Sequence, residues 1–382
     1  LNFDFTDEQK MLRESVRNFI ERECKPELMR KFDLERIYPT EILAKMAPLG
    51  WYSAFTPVEH GGQGLGPMEL AIMSEEVARF SPSIATGYYM AIWGVLNIAK
   101  HGSPAHKDYY LPRVNEGRQT FSFSMTEPDS GSDAASLRTR AVLEGDEWVI
   151  NGEKVFSTQA AAPNNTIILC ARTDTSSTKH KGISLLFVPH DAKGLTMTRL
   201  TTMSRRMLGN YALSFENVRV PRDAVLGEPG QGWSYIVDHL ERERMTVAAS
   251  CVGFAKQTFA EIVDYLRQRK QFGKALGEFQ AIQHTIADLK VALDCAEMLV
   301  YKVAWMLERG IPCNTEAAEC KLFCTETQVK IAFEGMRLLG GYGLTEDFGM
   351  ARAFREGMGA VTGGGTSNIQ RNIIARNILR GS

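Results

Sequence analysis

The chain has 382 residues, 44% hydrophobic and 23% charged, enough to bury large cores in two or three domains. Its 44 Lys and Arg nearly balance 45 Asp and Glu, which argues against the strongly basic surface of a nucleic-acid or anionic-membrane binder, so an anionic ligand has to be held locally. The seven cysteines are scattered, and only Cys320 and Cys324 share helical spacing; core packing fits that pair better than a metal, and a reducing compartment suits the set.

Thr6 followed by Gln9 has the form of a capping box that opens a helix. The N-terminal segment lacks the basic and apolar regions of an export signal, and no apolar run reaches the about 18 residues a membrane span needs, so no membrane insertion is expected. The start without Met reads as processed or trimmed, in a bacterial cytoplasm or, after processing, a mitochondrial matrix. Apolar residues then recur at helical spacing, as in Met11, Val16, Phe19 and Ile20 and again in Leu70, Ile72, Met73, Val77 and Ala78. Residues 1–120 read as a helical domain. From 121 to 230 the texture becomes short β-branched runs, Trp148–Ile150, Thr166–Leu169 and Ile183–Val188. The turn signals Glu144-Gly-Asp146 and Asn151-Gly152 separate strands there, and the polar stretch Thr173–Lys181 reads as a strand connection. After the break Gly227–Gly232 (GEPGQG), amphipathic patterns resume, making 231–382 a second helical domain. The fold class is α+β, with a cleft expected where the sheet meets the later helices.

The segment FSFSMTEPDSGSD (Phe121–Asp133) passes from a strand into a turn rich in N–H and O–H donors, able to hold an anion or a polar ring edge. Taken alone it reads first as an ordinary capped turn. The run NGEKVFST (Asn151–Thr158) places Phe156 and Thr158 on one face of a strand, an aromatic plane beside a hydroxyl that suits a flat heteroaromatic cofactor.

Together with RKQFGK, LLGGYG and GGGTSNIQR, in this order and spacing, these motifs resemble the acyl-CoA dehydrogenase family over essentially the full chain. The resemblance implies a helical domain, a β domain and a C-terminal four-helix bundle, assembled as a homotetramer with FAD at the seam. It implies that Met125 and Thr126 contact the flavin ring, that Gly131 and Ser132 lie near the phosphate or pantetheine groups, and that Phe156 and Thr158 lie along the flavin's other side. Phe156 stands where the family usually has Trp. Arg269, Phe272 and Gln280 match the segment that reaches the FAD of a neighbouring subunit, with Arg269 on the pyrophosphate. Gly340 and Gly341 let backbone approach the adenosine half, Arg337 replaces a usual Gln there, and Thr366 and Asn368 complete the FAD shell. Ser132, Tyr89, Leu240, Arg244 and Gly364 are the corresponding substrate contacts.

Dehydrogenation of an acyl thioester needs a carboxylate to remove the proton next to the carbonyl. Many family members carry it at the position of Gly364, where this chain has glycine. At about 100° per residue, Ile236, Leu240 and Val247 form one stripe of the segment 233–247, with Glu243 inside it, Glu241 at its edge, and Asp238 and Met245 pointing away. Desolvation on that face raises a carboxylate's pKa toward a base's working range, with Arg244 opposing the shift or serving the ligand. A solvated charge run with intrahelical pairs explains Glu241–Arg244 equally from the helix alone. The chain resembles isovaleryl-CoA and long-chain acyl-CoA dehydrogenases in lacking the loop carboxylate and carrying Glu before Arg here, which implies Glu243 as base. In that resemblance the Gly364 N–H hydrogen-bonds the thioester carbonyl. Gly363 and Gly364 also clear volume, giving the expectation of a branched, cyclic or otherwise bulky acyl-CoA. Tyr88, Tyr89, Met90 and Trp93 form the pocket's other wall or simply core, and the lack of arginine in Ser83–Val95 disfavours a diacid. The expected activity passes electrons to an electron-transfer flavoprotein. Its alternatives are the same site run backward as an enoyl-CoA reductase, or a flavin-binding protein that has lost its chemistry.

Overall fold

The computed structural model of the protein describes residues 4–176 and 179–380. The predicted capping box opens α1 (Asp7–Glu23): Thr6 Oγ1 accepts from the Gln9 N–H at 3.2 Å, and Gln9 Oε1 accepts from the Thr6 N–H at 3.1 Å. There follow α2 (Pro26–Glu35), α3 (Thr40–Ala44), α4 (Pro67–Ala78), α5 (Pro82–His101) and α6 (Pro104–Asn115). The strands are β1 (Thr120–Ser124), β2 (Arg140–Glu144), β3 (Glu147–Thr158), β4 (Asn165–Arg172), β5 (Ile183–Pro189), β6 (Leu195–Leu200) and β7 (Asn210–Pro221). Helix α7 (Gly232–Gln268) leads through a small hairpin, β8 (Lys270–Gln271) and β9 (Lys274–Ala275), to α8 (Gln280–Glu308), α9 (Asn314–Leu339), α10 (Met350–Thr362) and α11 (Ser367–Arg380). Among the described residues no helix is long and apolar enough to cross a membrane.

The chain forms two compact units, one of residues 1–34, 66–85 and 241–382, the other of 35–65 and 86–240. The second holds the sheet. There β6, β7, β3 and β2 run antiparallel in that order, and a single pairing, Arg140 with Arg172, joins β2 to β4. Strand β4 lies between β1, parallel, and β5, antiparallel. The apolar run of β4 is buried along almost its whole length, as expected of a strand covered on both faces. Its side chains Ile167 and Leu169 join Trp148, Ile150, Leu186, Leu213 and Phe215 in one core.

The Glu144–Asp146 signal is the β2–β3 turn, with Gly145 at φ +62°. Asn151-Gly152, expected as a second turn, instead lies inside β3 at a register shift. The two strands carry on because Asn151 and Asn217 bond across them: Asn151 Oδ1 accepts from the Asn217 N–H at 2.9 Å. Gly152 has φ +144°, and a Cβ there would fall 2.6 Å from Thr139 Oγ1, so the glycine serves a close strand approach.

In the helical unit, buried carboxylates tie α1 and α4 together. Arg13 contacts Glu75 and Glu76 at 2.8 Å each, Arg17 contacts Glu76 at 2.6 Å, and Lys256 of α7 contacts Glu75 at 2.7 Å. Burial pushes Glu76 up, but the hydrogen bonds and charges of Arg17 and Arg13 outweigh it and hold the carboxyl below its usual range. Cys320 and Cys324 are buried in α9 with sulfurs 4.0 Å apart, and both are free thiols, in keeping with core packing.

Candidate active site

Helix α7 brings its carboxylate inward. Ile236 is buried and Leu240 and Val247 are half-buried, as the stripe predicts. Met245, expected to point away, is fully buried, and so are Arg244 and Thr246. The helix is enclosed on more than one side at this point, so its buried arc is wider than the apolar stripe. Glu241 is not a solvated pair partner either: its carboxylate accepts from the Cys313 N–H at 3.4 Å. Glu243 is half-buried, and no described residue donates a hydrogen bond to its carboxylate. Burial pushes its pKa up, and the charges of Arg244 and Lys321 oppose that shift. Arg244 is itself lowered by burial, with Glu243 and Glu241 pulling the other way. Its Nε and Nη1 have no hydrogen-bond partner among the described residues.

The triple glycine lies between α10 and α11, with Gly364 at φ +62° and Gly365 at φ +83°, a left-handed pair that disfavours any side chain. A Cβ built on Gly364 would lie 3.4 Å from Glu243 Oε1. A side chain on the loop and the side chain on the helix therefore converge on one place. The loop is pinned from behind: Lys321 Nζ donates to the Gly365 carbonyl at 2.8 Å, and Gln370 Nε2 donates to the same oxygen at 2.9 Å. Thr366 Oγ1 caps α11 by accepting from the Ile369 N–H at 3.3 Å, and Asn368 is exposed. Lys321 and Gln370 were not singled out from the sequence. Their signal was faint: an isolated lysine between Cys320 and Leu322 in a helical pattern, and a glutamine within GGGTSNIQR.

On the same unit, Arg269, Arg337, Gly340 and Gly341 line one cleft of about 490 Å³. A Cβ on Gly340 or Gly341 would meet nothing within 4 Å, so the backbone there is open to a ligand. Arg269 packs over the Tyr342 ring at 5.8 Å and pairs with no carboxylate among the described residues, whereas Arg337 is engaged by Glu334 at 3.0 Å. An exposed, unpaired guanidinium beside bare backbone fits the diphosphate of a dinucleotide. Phe272 and Gln280 lie outside this cleft. Phe272 is at the tip of the β8–β9 hairpin, 94% exposed with φ +51°, and Gln280 is the first residue of α8.

In the sheet unit, Met125 and Thr126 follow β1 directly and are locked to β3. The Met125 carbonyl accepts from Lys154 Nζ at 2.9 Å, and the Thr126 carbonyl accepts from the Val155 N–H at 2.9 Å. Lys154 also pairs with Glu127 at 2.8 Å, both buried, and Glu127 accepts from the N–H groups of Arg138 and Thr139. Burial pushes Glu127 up, but Lys154 and these bonds hold it below its usual range. Gly131 and Ser132 are exposed beyond this turn.

The plain alternation expected to put Phe156 and Thr158 on one face is interrupted. A second register shift falls between Lys154 and Ser157, and Phe156 takes φ +60°, rare for an aromatic residue. The bulge leaves Phe156 59% exposed, while Thr158 Oγ1 donates to Asn210 Oδ1 at 2.8 Å. Such strain persists where the surrounding structure holds it, and it clusters at ligand sites. Of the aromatic wall residues, Tyr88 is core, its hydroxyl donating to the Trp51 carbonyl at 2.9 Å, and Trp93 is buried against Phe123. Tyr89 and Met90 are half-buried.

Models of the acyl-CoA dehydrogenase N-terminal, middle and C-terminal domains match residues 6–118, 122–218 and 230–379. The chain is 35% identical, over all of both sequences, to the protein named probable acyl-CoA dehydrogenase YngJ of Bacillus subtilis. It is 33% identical to a 3-(aryl)acrylate reductase of Clostridium sporogenes, over 98% of this chain and 100% of the relative. Among solved structures, butyryl-CoA dehydrogenase from Megasphaera elsdenii superimposes with a TM-score of 0.94 at 29% identity, and an FAD complex of PigA with 0.93 at 25%, each over all of both chains. Fold and site thus define a flavin-dependent oxidoreductase. The chain belongs to the acyl-CoA dehydrogenase family, whose cofactor is FAD and whose activity is oxidoreduction of acyl-CoA.

Proposed function

We propose that the protein dehydrogenates an acyl-CoA to the 2-enoyl-CoA, with Glu243 as the base. The reading rests on one observation: the Glu243 carboxylate lies 3.4 Å from the point a side chain at 364 would begin to occupy. Glu243 takes the proton from the carbon next to the thioester carbonyl; its raised pKa strengthens it as a base. The Gly364 N–H, on a backbone pinned by Lys321 and Gln370, donates to the thioester carbonyl and stabilises its developing negative charge. Bound FAD would supply the hydride acceptor for the neighbouring carbon. Arg269, Phe272 and Gln280 would reach the FAD of a neighbouring subunit, Arg269 at its diphosphate, and Gly340 and Gly341, with Arg337, would admit the adenosine half. Met125, Thr126, Gly131, Ser132, Phe156, Thr158, Thr366 and Asn368 serve the remainder. Tyr89, Leu240 and Arg244 are carried over as substrate contacts.

The substrate is branched, cyclic or otherwise bulky near its carbonyl, because Gly363 and Gly364 carry no side chain and a Cβ on Gly363 would meet only the Gly359 carbonyl, at 3.4 Å. The assembly is a homotetramer, and electrons pass to an electron-transfer flavoprotein. A second reading, reduction of an enoyl-CoA by the same residues, is favoured by the likeness to the 3-(aryl)acrylate reductase.

The test is anaerobic mixing of the flavin-loaded protein with straight, branched, cyclic and aryl acyl-CoAs, reading flavin absorbance. Bulky acyl-CoAs should bleach the wild type fastest. Glu243→Gln should bind ligand yet reduce flavin about 10²- to 10⁴-fold more slowly. Near-normal reduction by that variant would put the base elsewhere, and turnover confined to short straight chains would overturn the bulky substrate.

A further inference from the structure

Helix α9 carries the lysine that pins the glycine loop, and the proposed chemistry gives its charge no part. Lys321 is 0% exposed, flanked by the buried Cys320 and near the buried Cys324. An ammonium there is costly unless it is hydrogen-bonded and near opposite charge. Both conditions hold. Its Nζ donates to the Gly365 carbonyl at 2.8 Å, and Glu243, Glu326 and the Cys251 thiol face it along with the like charge of Arg244. The carbonyl it grips closes the left-handed Gly364–Gly365 pair, which has no side chain of its own to hold its shape. Gln370 is the second donor on that oxygen, and it also reaches the Gly364 carbonyl at 3.4 Å. A glutamine and a lysine thus share the clamp, and only the lysine brings charge.

We propose that Lys321 is a positioning residue for the reaction centre: its ammonium fixes the Gly364–Gly365 backbone and keeps a positive charge beside the Glu243 carboxylate. The inference rests on Glu243 being the base. The clamp orients the Gly364 N–H, for which no described residue is an acceptor, toward its substrate. The charge favours the ionised Glu243, working against the burial that pushes that carboxylate up. Burial brings Lys321 itself down to about 8, so the charge fades as pH rises through that value.

The experiment compares Lys321→Met and Lys321→Arg in the flavin-loaded tetramer or whatever assembly the wild type adopts, by pH profile of flavin reduction and by amide hydrogen exchange over residues 363–367. Lys321→Met should move the acid limb upward by up to about 1 pH unit, since a nearby cation is lost. It should also abolish the alkaline limb near 8, lower the rate about 10- to 100-fold with little change in KM, and speed exchange in the loop. Lys321→Arg should keep the acid limb and carry the alkaline limb out of range. Gln370→Met, which removes a donor without charge, should speed loop exchange and leave both limbs in place.

An unchanged profile and unchanged exchange in Lys321→Met overturn the proposal, as does an alkaline limb that stays near 8 in Lys321→Arg. Should Lys321→Met fail to fold, the arginine variant decides alone. A wild-type protein that no acyl-CoA or enoyl-CoA reacts with would sink the dehydrogenase reading instead. Loop exchange would then still decide whether the lysine clamps the glycines.

Discussion

In the proposed mechanism Gly364 and Glu243 split a task that one side chain on the loop could perform, and their geometry makes both residues hard to replace. At φ +62°, Gly364→Ala meets the left-handed penalty of about 1–2 kcal/mol and places its methyl 3.4 Å from Glu243 Oε1. We expect lower thermal stability by about that amount and a larger loss of flavin reduction, read by calorimetry and stopped flow. Glu243 also predicts a pH effect on stability with a definite sign. A carboxylate raised in the folded state is preferred protonated there, so stability is lost as pH rises from the ordinary carboxylate range through the raised value. Glu243→Gln should therefore be more stable than wild type at neutral pH and lose that advantage on acidification, measured by urea unfolding at several pH values. Unchanged relative stability across the range would mean that the carboxylate is solvated. The helix pattern made Glu243 one of two readings, and the family resemblance, with glycine at 364, singled it out. Lys321 and Gln370 were hidden because their partner is a backbone oxygen, which leaves no mark on residue type, and for Lys321 it also lies in a distant loop.

Helix α7 and strand β3 show how an element differs from its pattern. The stripe on α7 was read correctly for Ile236, but Met245 is buried because neighbours close over another side of the helix, which no single-helix wheel contains. In β3 the alternation predicts faces only while the ladder is regular, and two register shifts break it, one at Gly152 and one before Ser157. Between them Lys154 crosses to the Met125 carbonyl and Glu127, fastening the turn proposed to meet the flavin. Removing one partner of a buried pair leaves the other charge uncompensated, so Lys154→Met should cost about 3–5 kcal/mol. The double variant with Glu127→Gln should recover part of it. Denaturant melts of the two variants, with flavin content, check both points; a double variant no better than the single would show that the bond to the Met125 carbonyl dominates.

In the molecule as a whole, one source of stability against acid lies where α1 and α4 meet. Glu76 is held below its usual range, so its contribution is present above the ordinary carboxylate pKa and disappears as pH falls through the lowered value. Arg17→Met should narrow that advantage and shift acid unfolding to higher pH, followed by circular dichroism. The proposed tetramer predicts a different linkage. Arg269 has no carboxylate partner among the described residues and Phe272 stands 94% exposed on a hairpin tip, so the chain alone gives neither a role. Arg269→Ala and Phe272→Ser should lower bound flavin per chain and weaken assembly together, seen by sedimentation and absorbance; full flavin content in a dissociated protein would show that the cofactor is not shared.

Hydrophobic period, turn chemistry and the order of motifs were enough to read helices, then strands, then helices, together with the family and the acid proposed here as base. Those features are local: each is set by side chains within a turn or two of one another, or by residue types whose chemistry is unmistakable wherever they fall. Folding in three dimensions settled the rest. It decided that Asn151-Gly152 bulges rather than turns, that Phe156 is strained outward, and that a buried lysine reaches the glycine loop. Each of these depends on hydrogen bonds and close approaches between segments far apart along the chain, where the partner's backbone matters more than its name.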